Sequence, residues 1–341
     1  MAESPYTLFV GIDISAKSAS VALATSRRQV AEPFDIRQTQ KGFEQLKRRM
    51  LKREDCPEQI LVVMEATSTY WMQLATSLYS EGFVVSVINP SQAHYFAQAL
   101  LKRSKTDKID AQTLAQLGTT LKPKPWSPPP PVYHELHQRL RQREQLARML
   151  TQQKNRLHAL ERRSEVIPAV RDRMQATIDF LSRQVDELNE ELSQALRHNP
   201  EWYVNAKRIM SIPGLGLIST AWILTATQNF TTCEEPGQLV SYAGLAPRSR
   251  QSGAWKGRAF IGHSGHSGLR RSLYMSAVNA IGFNPHLRQF HKRLKDGGKP
   301  GKVAICAVAR KLLLISWALV AKETVYDPDY HKRLQTVPET A

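Results

Sequence analysis

The first 122 residues alternate short apolar runs with segments of helical periodicity, a pattern typical of an α/β domain. Residues 7–15 are almost continuously apolar, which predicts a central strand covered on both faces. A small polar turn separates this run from a second one at 20–25, as in a β-hairpin. The further predicted elements are a helix at 41–53, a strand at 60–67, a helix at 70–82, a strand at 84–90 and helices at 91–103 and 108–118. A hairpin followed by strand–helix alternation predicts a sheet of mixed direction.

Prolines mark the end of this first domain, 1–122. Proline lacks a backbone N–H and fixes φ, so the proline-rich segment 123–131 predicts a stiff linker. Residues 132–199 contain no glycine, and their leucines recur every three or four positions on two stretches joined near Ile167–Pro168. This spacing predicts a coiled-coil hairpin between the linker and the rest of the chain.

The third region, 200–325, is strongly basic and precedes a tail at 326–341. The whole chain carries a net charge of +17, and between Ser241 and Val320 fourteen Lys and Arg residues stand against a single acid, Asp296. A merely solvated face normally mixes both signs. The excess therefore predicts contact with a polyanion, and nucleic acid is the commonest large one.

Cysteine usage and hydropathy exclude several other classes of protein. Cys56, Cys233 and Cys306 are far apart and form no CxxC pair, which argues against a disulfide framework and a structural zinc site. The first residues lack the basic segment of a signal peptide. The apolar stretch 303–320 is interrupted by Arg310 and Lys311, which favours a buried helix over a membrane span. We therefore expect a cytoplasmic protein with no membrane contact.

Acidic residues stand at the ends of two predicted strands. Asp13 and Glu65 each follow an apolar run, and a carboxylate in such a strand is costly to bury unless its charge is compensated. Asp107 and Asp110 lie three residues apart at a helix start, so both can face one direction. Four converging carboxylates need cations, and oxygen ligands suit Mg²⁺ or Mn²⁺. Two such ions about 4 Å apart support phosphoryl transfer.

Each acid taken singly has an ordinary structural explanation. Asp13 can cap a turn, Glu65 can pair with a lysine, and Asp107 can serve as a helix N-cap. The set is harder to explain in this way, because two acids in otherwise apolar strands each need separate compensation.

The order of these acids resembles a known family. Gly11-Ile12-Asp13, Met64–Thr67 and Lys105–Ala111 are similar to the motifs of the DEDD transposases, the Piv-type invertase family of insertion-sequence recombinases. The resemblance extends over nearly the whole chain. It implies an α/β plus α protein: an RNase H-like (RuvC-like) mixed sheet domain, a helical coiled-coil spacer and a mainly helical basic C-terminal domain. It also implies that Asp13, Glu65, Asp107 and Asp110 bind the metal and act in catalysis.

A second block of the family has a serine before a glycine as nucleophile, and Ser252 matches that position, with Ser249 as a nearby rival. Local sequence alone favours a solvated Gly/Ser loop, because a serine hydroxyl is a poor nucleophile without a base, metal or cations. His263 and His266 have no third partner for a metal, so we interpret them as phosphate-loop or solvent residues. The predicted nucleic-acid contacts are Arg248, Arg250, Lys256, Arg258, Arg270 and Arg271.

Gly214 and Gly216 belong to a segment, Ile212–Gly216, with the form of a helix-hairpin-helix turn. Such a turn presents backbone N–H groups to phosphate without reading sequence. An ordinary glycine turn between packed helices explains the segment equally well.

The family resemblance implies an insertion-sequence transposase or site-specific recombinase that acts on donor and target DNA through a covalent phosphoserine. It further implies a dimer or tetramer and a structured non-coding (bridge) RNA as guide, although no RNA-binding module is recognisable. Two alternatives stay open. One is a RuvC-like endonuclease that hydrolyses DNA with water and does not need Ser252. The other is a non-catalytic basic scaffold whose acids are structural.

Overall fold

The computed structural model describes residues 5–26, 31–101, 106–233, 235–247, 261–262 and 265–329, and the backbone of 251–252 and 255–256. The chain divides into two compact units, Met1–Pro128 (unit 1) and Pro129–Ala341 (unit 2). The division falls inside the proline-rich segment. The predicted domain boundaries at 122, 132, 199 and 325 stay predictions.

Unit 1 contains a five-stranded sheet of mixed direction. Its strands are β1 (Leu8–Ile14), β2 (Ser18–Ala24), β3 (Phe34–Arg37), β4 (Ile60–Glu65) and β5 (Val84–Ile88). The order across the sheet is β3-β2-β1-β4-β5, with β1 antiparallel to β2 and parallel to β4. The prediction of a mixed sheet that begins with a hairpin is confirmed.

Four helices cover the two faces of this sheet: α1 (Gln40–Leu51), α2 (Trp71–Ser80), α3 (Pro90–Ala99) and α4 (Asp107–Leu121). Successive side chains of a strand point to opposite faces, so each central strand feeds two cores. Val10 and Met64 pack in the cluster that contains Leu46 of α1 and Leu74 of α2. Phe9, Val63 and Leu61 pack on the other face in the cluster that contains Ala93 of α3 and Leu114 of α4.

Helix α4 lies directly on the backbone of β1 at Gly11. A Cβ atom on Gly11 would sit 2.0 Å from the carbonyl oxygen of Ala111 and 2.2 Å from the amide nitrogen of Ala115. No side chain fits in that space, so glycine is required by the close approach of helix and strand. Farther along α4, a Cβ on Gly118 would be 3.0 Å from Val63. The two glycines let the helix sink onto the sheet.

The edge strand β3 was not predicted from the sequence. It has only four residues, Phe34–Arg37, so its alternation of apolar and polar residues is too short to predict a strand from the sequence. Ser20 of β2 donates a hydrogen bond of 2.6 Å to the carboxylate of Asp35 and helps to hold the strand in place.

Unit 2 is helical apart from one small hairpin among its described residues. It begins with two 30-residue helices, α5 (Pro131–Leu160) and α6 (Pro168–Arg197). They run antiparallel, because Arg139 pairs with Glu191 at 2.9 Å and Arg143 donates to Asn189 at 2.7 Å. The predicted helical hairpin is therefore present. Supercoiling and self-association through it stay predictions.

The remaining helices of unit 2 pack around one core. They are α7 (Pro200–Met210), α8 (Leu217–Thr227), α9 (Pro236–Tyr242), α10 (Ser267–Phe283), α11 (Pro285–Asp296) and α12 (Gly301–Ala321). Helix α12 is long and apolar enough to cross a membrane by length and composition alone, a test that core helices also pass. Its residues Val308, Leu312 and Leu313 belong to the unit 2 core together with Trp202 and Trp222.

His266 is a structural residue in this unit. It is the N-cap of α10, where its Nδ1 accepts a hydrogen bond of 3.1 Å from the amide of Leu269. Its ring packs edge-on against Trp222 with 5.3 Å between centroids. Burial lowers its pKa to about 4, and the charges of His137 and Arg141 add to the effect. The interpretation of His266 as a phosphate-loop or solvent residue is therefore wrong, while His263 lies outside the described residues.

The contact at Gly11 predicts a large loss of stability for Gly11→Ala. The new methyl group meets helix backbone, which cannot rotate away, so we expect unit 1 to lose about 3 kcal/mol or more of unfolding free energy. Urea unfolding followed by circular dichroism measures the loss. The control is Gly282→Ala, at a helical glycine with no atom within 4 Å of the added Cβ, which we expect to stabilise by roughly 0.5 kcal/mol. Wild-type stability of Gly11→Ala would contradict the packing of α4 on β1.

The buried cap predicts a pH-dependent stability of unit 2. The pKa of His266 is about 4 in the folded chain against an ordinary 6.5, so the unfolded state binds the proton first as pH falls. The contribution of neutral His266 to the free energy of unfolding is complete above pH 6.5 and is lost near pH 4. We expect wild type to lose roughly 2 kcal/mol more than His266→Asn between pH 6.5 and 4.5, since Asn caps helices without titrating. Equal losses in urea titrations at the two pH values would refute this.

Candidate functional site

Asp13 and Glu65 are neighbours at one edge of the unit 1 sheet. Strands β1 and β4 are parallel with Ile12 opposite Met64, so the next pair along the register is Asp13 and Glu65. Neighbouring strands lie about 4.8 Å apart, and the two acids share a face because each is two residues beyond a residue that α4 covers. Both side chains are half-buried. The carboxyl ends of parallel strands are the usual ligand-binding edge of such a sheet.

The start of α4 brings the other two acids to the same edge. Ala111 and Ala115 lie over Gly11, while Gly118 lies over Val63 and Phe9, so the helix runs opposite to β1. Its first turn therefore extends past Gly11 towards Asp13. Asp107 and Asp110 occupy that first turn, on the helix side that continues into the sheet contact.

Thr106 starts α4 and determines where its acids fall. Its Oγ1 accepts a hydrogen bond of 3.3 Å from the amide of Ile109, the N-cap geometry that threonine favours. The helix dipole is positive at this end, so two carboxylates in the first turn are favourable there. Asp107 is not the N-cap residue of α4, because Thr106 holds that position.

The four backbone positions converge, but the side chains do not form a finished metal site. Glu65 Oε1 accepts a hydrogen bond of 2.7 Å from Thr67. Among the residues that the structure describes, no three Asp, Glu, His or Cys side chains are grouped so as to hold a metal ion. Closely spaced carboxylates repel one another, so their convergence depends on a compensating cation. The donor set is all oxygen, which suits Mg²⁺ or Mn²⁺; the ligand assignment stays a prediction.

Ser252 lies in unit 2, on a small hairpin. Strand β6 (Gln251–Ser252) pairs antiparallel with β7 (Trp255–Lys256), and Ser252 stands opposite Trp255. Positions 253–254, between these two paired residues, lie outside the described residues. Only the backbone is described for Ser252 and Lys256. The predicted contacts Arg248, Arg250 and Arg258, and the rival nucleophile Ser249, lie outside the described residues.

Arg270 and Arg271 have partners within unit 2. Arg271 forms an ion pair of 2.7 Å with Glu144 of α5, whose side chain is mostly buried. Arg270 donates a weak hydrogen bond of 3.4 Å to the carbonyl of Ala243. Their role as nucleic-acid contacts stays a prediction. Arg271 would have to leave Glu144 in order to bind a phosphate.

The two glycines of the predicted phosphate turn differ. Gly214 has φ of +107°, and a Cβ there would lie 2.5 Å from the Cβ of Ala280, so packing against α10 explains this glycine. Gly216 is the N-cap of α8, and a Cβ there would meet no atom within 4 Å. Phosphate binding at Gly214 and Gly216 stays a prediction; the amide of Gly216 donates a hydrogen bond of 3.1 Å to Oγ of Ser219.

Cations from two helices, α11 and α12, lie around one aromatic ring of α11. Arg293 and Lys311 lie over the ring of Phe290, at 5.4 Å and 4.6 Å from its centroid. We define the α11 basic patch as these two cations with Lys292 and Lys295. None of the four forms an ion pair within 4.0 Å with an acid in the described part of the chain. Burial lowers the pKa of Lys311, and Arg293 lowers it further.

Sequence reasoning named the cations of this region but missed Phe290. The available signal was an aromatic residue among basic ones in a helix whose only buried residue is Leu287. An aromatic ring attracts the two cations that lie over it but does not neutralise their positive charge. The surface around Phe290 therefore suits an anionic ligand.

Comparison with known proteins gives concordant matches along the chain. A DEDD transposase family model of the IS110 type matches residues 10–162, and a model described as transposase IS116/IS110/IS902 family matches 206–292. The pilin gene-inverting protein of Moraxella bovis is 32% identical over 95% of this chain and 99% of its own length. That of Moraxella lacunata is 31% identical over the same shares. The transposase for insertion sequence element IS1328 of Yersinia enterocolitica is 24% identical over 80% of this chain and 86% of its own length.

The first family model includes all four acids of the sheet edge, and the second includes Ser252 and part of the α11 basic patch. The Moraxella bovis relative is 32% identical and aligns over almost the full length of both chains. The similarity is therefore not confined to one shared domain. The chain belongs to the IS110 family of transposases and DNA invertases.

Proposed function

We propose that this protein is a DNA recombinase whose reaction takes place at the carboxylate edge of unit 1, an RNase H-like domain. The observation that carries the proposal is that Asp13 and Glu65 directly follow the paired residues Ile12 and Met64 of two parallel strands, at the sheet end towards which the first turn of α4 extends. Family membership implies recombination or inversion of DNA. The edge supports phosphoryl transfer as the chemistry, because it gathers oxygen ligands where strands end and a substrate can approach.

Asp13, Glu65, Asp107 and Asp110 would hold Mg²⁺ or Mn²⁺ at this edge. Such ions, when bound, activate an attacking oxygen and stabilise a leaving oxygen. The protein contributes the arrangement: the strand register fixes two carboxylates, and the close packing of α4 on Gly11 fixes the helix that carries the other two. The carboxylates are on regular elements, which hold ligands more rigidly than loops do.

Ser252 is the proposed nucleophile. Its Oγ attacks the phosphorus of a DNA phosphodiester and loses its proton to a base, while the 3′ oxygen of the broken bond leaves and gains a proton. The product is a phosphoserine link, which a 3′ hydroxyl of the partner strand reverses during joining. The position of Ser252 on a short hairpin, within the segment that the second family model matches, supports this role.

The α11 basic patch is proposed to grip the DNA backbone. Lys292, Arg293 and Lys295 are exposed, and no described acid pairs with them, so they remain available for phosphates. Phosphate contacts of this kind position a duplex without reading its sequence.

Three further parts of the proposal rest on family resemblance together with the basic excess. We propose that a structured non-coding RNA guides the protein and that the protein is cytoplasmic. We also propose that it assembles into a dimer or tetramer through the α5–α6 hairpin. Cutting and joining two duplexes requires more than one nucleophile, which supports an oligomer.

A matched pair of variants tests the carboxylate edge. Glu65→Gln removes one charge at the edge, whereas Glu44→Gln makes the same change on an exposed residue of α1, on the opposite face of the sheet. We expect Glu65→Gln to slow DNA cleavage about 100-fold or more, since it removes charge that a metal-dependent transition state needs. Glu44→Gln should stay within about twofold of wild type. The measurement is strand cleavage in a plasmid that carries the coding sequence with its flanking DNA.

Normal recombination by Glu65→Gln would remove the metal mechanism. In the same assay, Ser252→Ala decides between recombinase and hydrolytic nuclease. We expect no covalent protein–DNA adduct on a denaturing gel with Ser252→Ala. Cleavage that persists without an adduct would favour the water-using nuclease, and an adduct that persists would exclude Ser252 as nucleophile.

The basic patch predicts a change in salt dependence. Lys292→Gln combined with Lys295→Gln removes two phosphate contacts, so the slope of log K against log salt should become shallower by about 2. The control is Lys41→Gln, an exposed lysine of α1 in unit 1. Duplex binding measured by fluorescence anisotropy across salt concentrations gives the slopes. An unchanged slope in the double variant would place the DNA elsewhere.

A further inference from the structure

One side chain joins the two loops that leave the carboxylate edge. Gln38 lies between β3 and α1, and its Nε2 donates a hydrogen bond of 3.2 Å to the carbonyl of Ser15 and another of 3.2 Å to the carbonyl of Tyr70. Ser15 comes two residues after Asp13. Tyr70 ends the loop that follows Glu65 and immediately precedes α2.

The chemistry of the amide matches this pair of partners. A primary amide nitrogen has two N–H donors, and each is directed to one carbonyl. Because both partners are carbonyl oxygens, the nitrogen end must face them, which settles the orientation of the amide. Glutamate, which is isosteric, would place an acceptor against two acceptors, and methionine would offer no donor.

Residue 38 also holds the first loop through its backbone. The amide of Gln38 donates to the carbonyl of Lys17 at 3.0 Å, and within the loop the amide of Ser15 donates to the carbonyl of Ser18 at 2.9 Å. The turn between β1 and β2 is therefore tied at two points to the segment between β3 and α1. This places the Gln38 side chain accurately for its second partner.

The second loop needs such support. Ser68 has φ of +56°, an uncommon backbone conformation for a residue other than glycine that surrounding contacts must maintain. Thr67 beside it donates to Glu65, so the loop also orients a carboxylate of the edge. In the described part of unit 1, no direct hydrogen bond joins residues 15–18 to residues 66–70. Gln38 bridges the two segments.

We propose that Gln38 is a positioning residue of the carboxylate edge, which sets the separation of the loops after Asp13 and Glu65 and thereby the geometry in which a divalent cation is held. The inference rests on the proposed metal-dependent function. Gln38 touches neither substrate nor metal in this role. It acts through the two loops, and so through the orientation of Glu65 by Thr67.

The test measures binding of Mn²⁺ alone to the full-length protein by electron paramagnetic resonance. Gln38→Met removes both donors with little change in size. We expect this variant to bind Mn²⁺ about tenfold more weakly, because the loss of two ordinary hydrogen bonds is large enough to change the affinity by that factor. Gln40→Met is the matched control, because Gln40 is exposed at the first position of α1 and should leave Mn²⁺ binding unchanged. Gln38→Asn keeps the amide but is one methylene shorter, and it should fall between wild type and Gln38→Met.

The outcomes separate this inference from the function on which it rests. Wild type that binds Mn²⁺ in a way that Glu65→Gln abolishes supports the metal site. If Gln38→Met and Gln38→Asn then bind Mn²⁺ as wild type does, the positioning role is overturned while the proposed function stands. A lowered melting temperature with unchanged Mn²⁺ affinity also overturns it, since that marks a purely structural residue. Absence of a Glu65-dependent site in wild type overturns the proposed function itself.

Discussion

The contact between α4 and β1 is the constraint on which the carboxylate edge depends. Helix backbone approaches strand backbone so closely at Gly11 that no side-chain carbon fits between them. Because the helix is seated there, its first turn must extend towards the end of β1, where Asp13 stands. A packing requirement thus directs two acids on a helix towards the sheet end that carries two acids on strands, whereas electrostatics alone would drive them apart.

Charge is distributed so that each unit carries an excess of one sign at one surface. The edge of unit 1 collects acids, and the α11 basic patch of unit 2 collects cations around Phe290 without a described acid within ion-pair distance. Like charges held together cost free energy unless a ligand of the opposite sign compensates them. A divalent cation at the acidic edge and a phosphate backbone at the α11 basic patch are the ligands that the proposed function assigns to these surfaces.

The elements that were predicted correctly from the sequence are those with a clear local periodicity of apolar residues. The hairpin, the alternation of β4, α2 and β5 and the two long helices of unit 2 are present, because each has a clear apolar period. Strand β3 was missed because its alternation of apolar and polar residues extends over only four positions. His266 was misread because its contact with Trp222 and the burial that lowers its pKa depend on residues distant in the chain, whereas only its cap bond to Leu269 is local. The RNase H-like assignment remains part of the proposal.

The acids of the candidate site were recognisable in the sequence, but their convergence was not derivable from spacing. The sequence places Asp13 after Gly11 without saying why a glycine stands there. The structure gives the reason: α4 occupies the volume that any other residue would fill. The glycine and the aspartate of the Gly11-Ile12-Asp13 motif therefore act as a pair. Gly11 allows α4 to pack closely on β1, and Asp13 lies at the sheet end towards which the acids of α4 extend. Gln38 lies outside this motif, and the loops that follow Asp13 and Glu65 both accept hydrogen bonds from its side-chain amide nitrogen. The arrangement of those loops therefore depends on Gln38 as well. Residues that touch no ligand thus shape this edge as much as the carboxylates do.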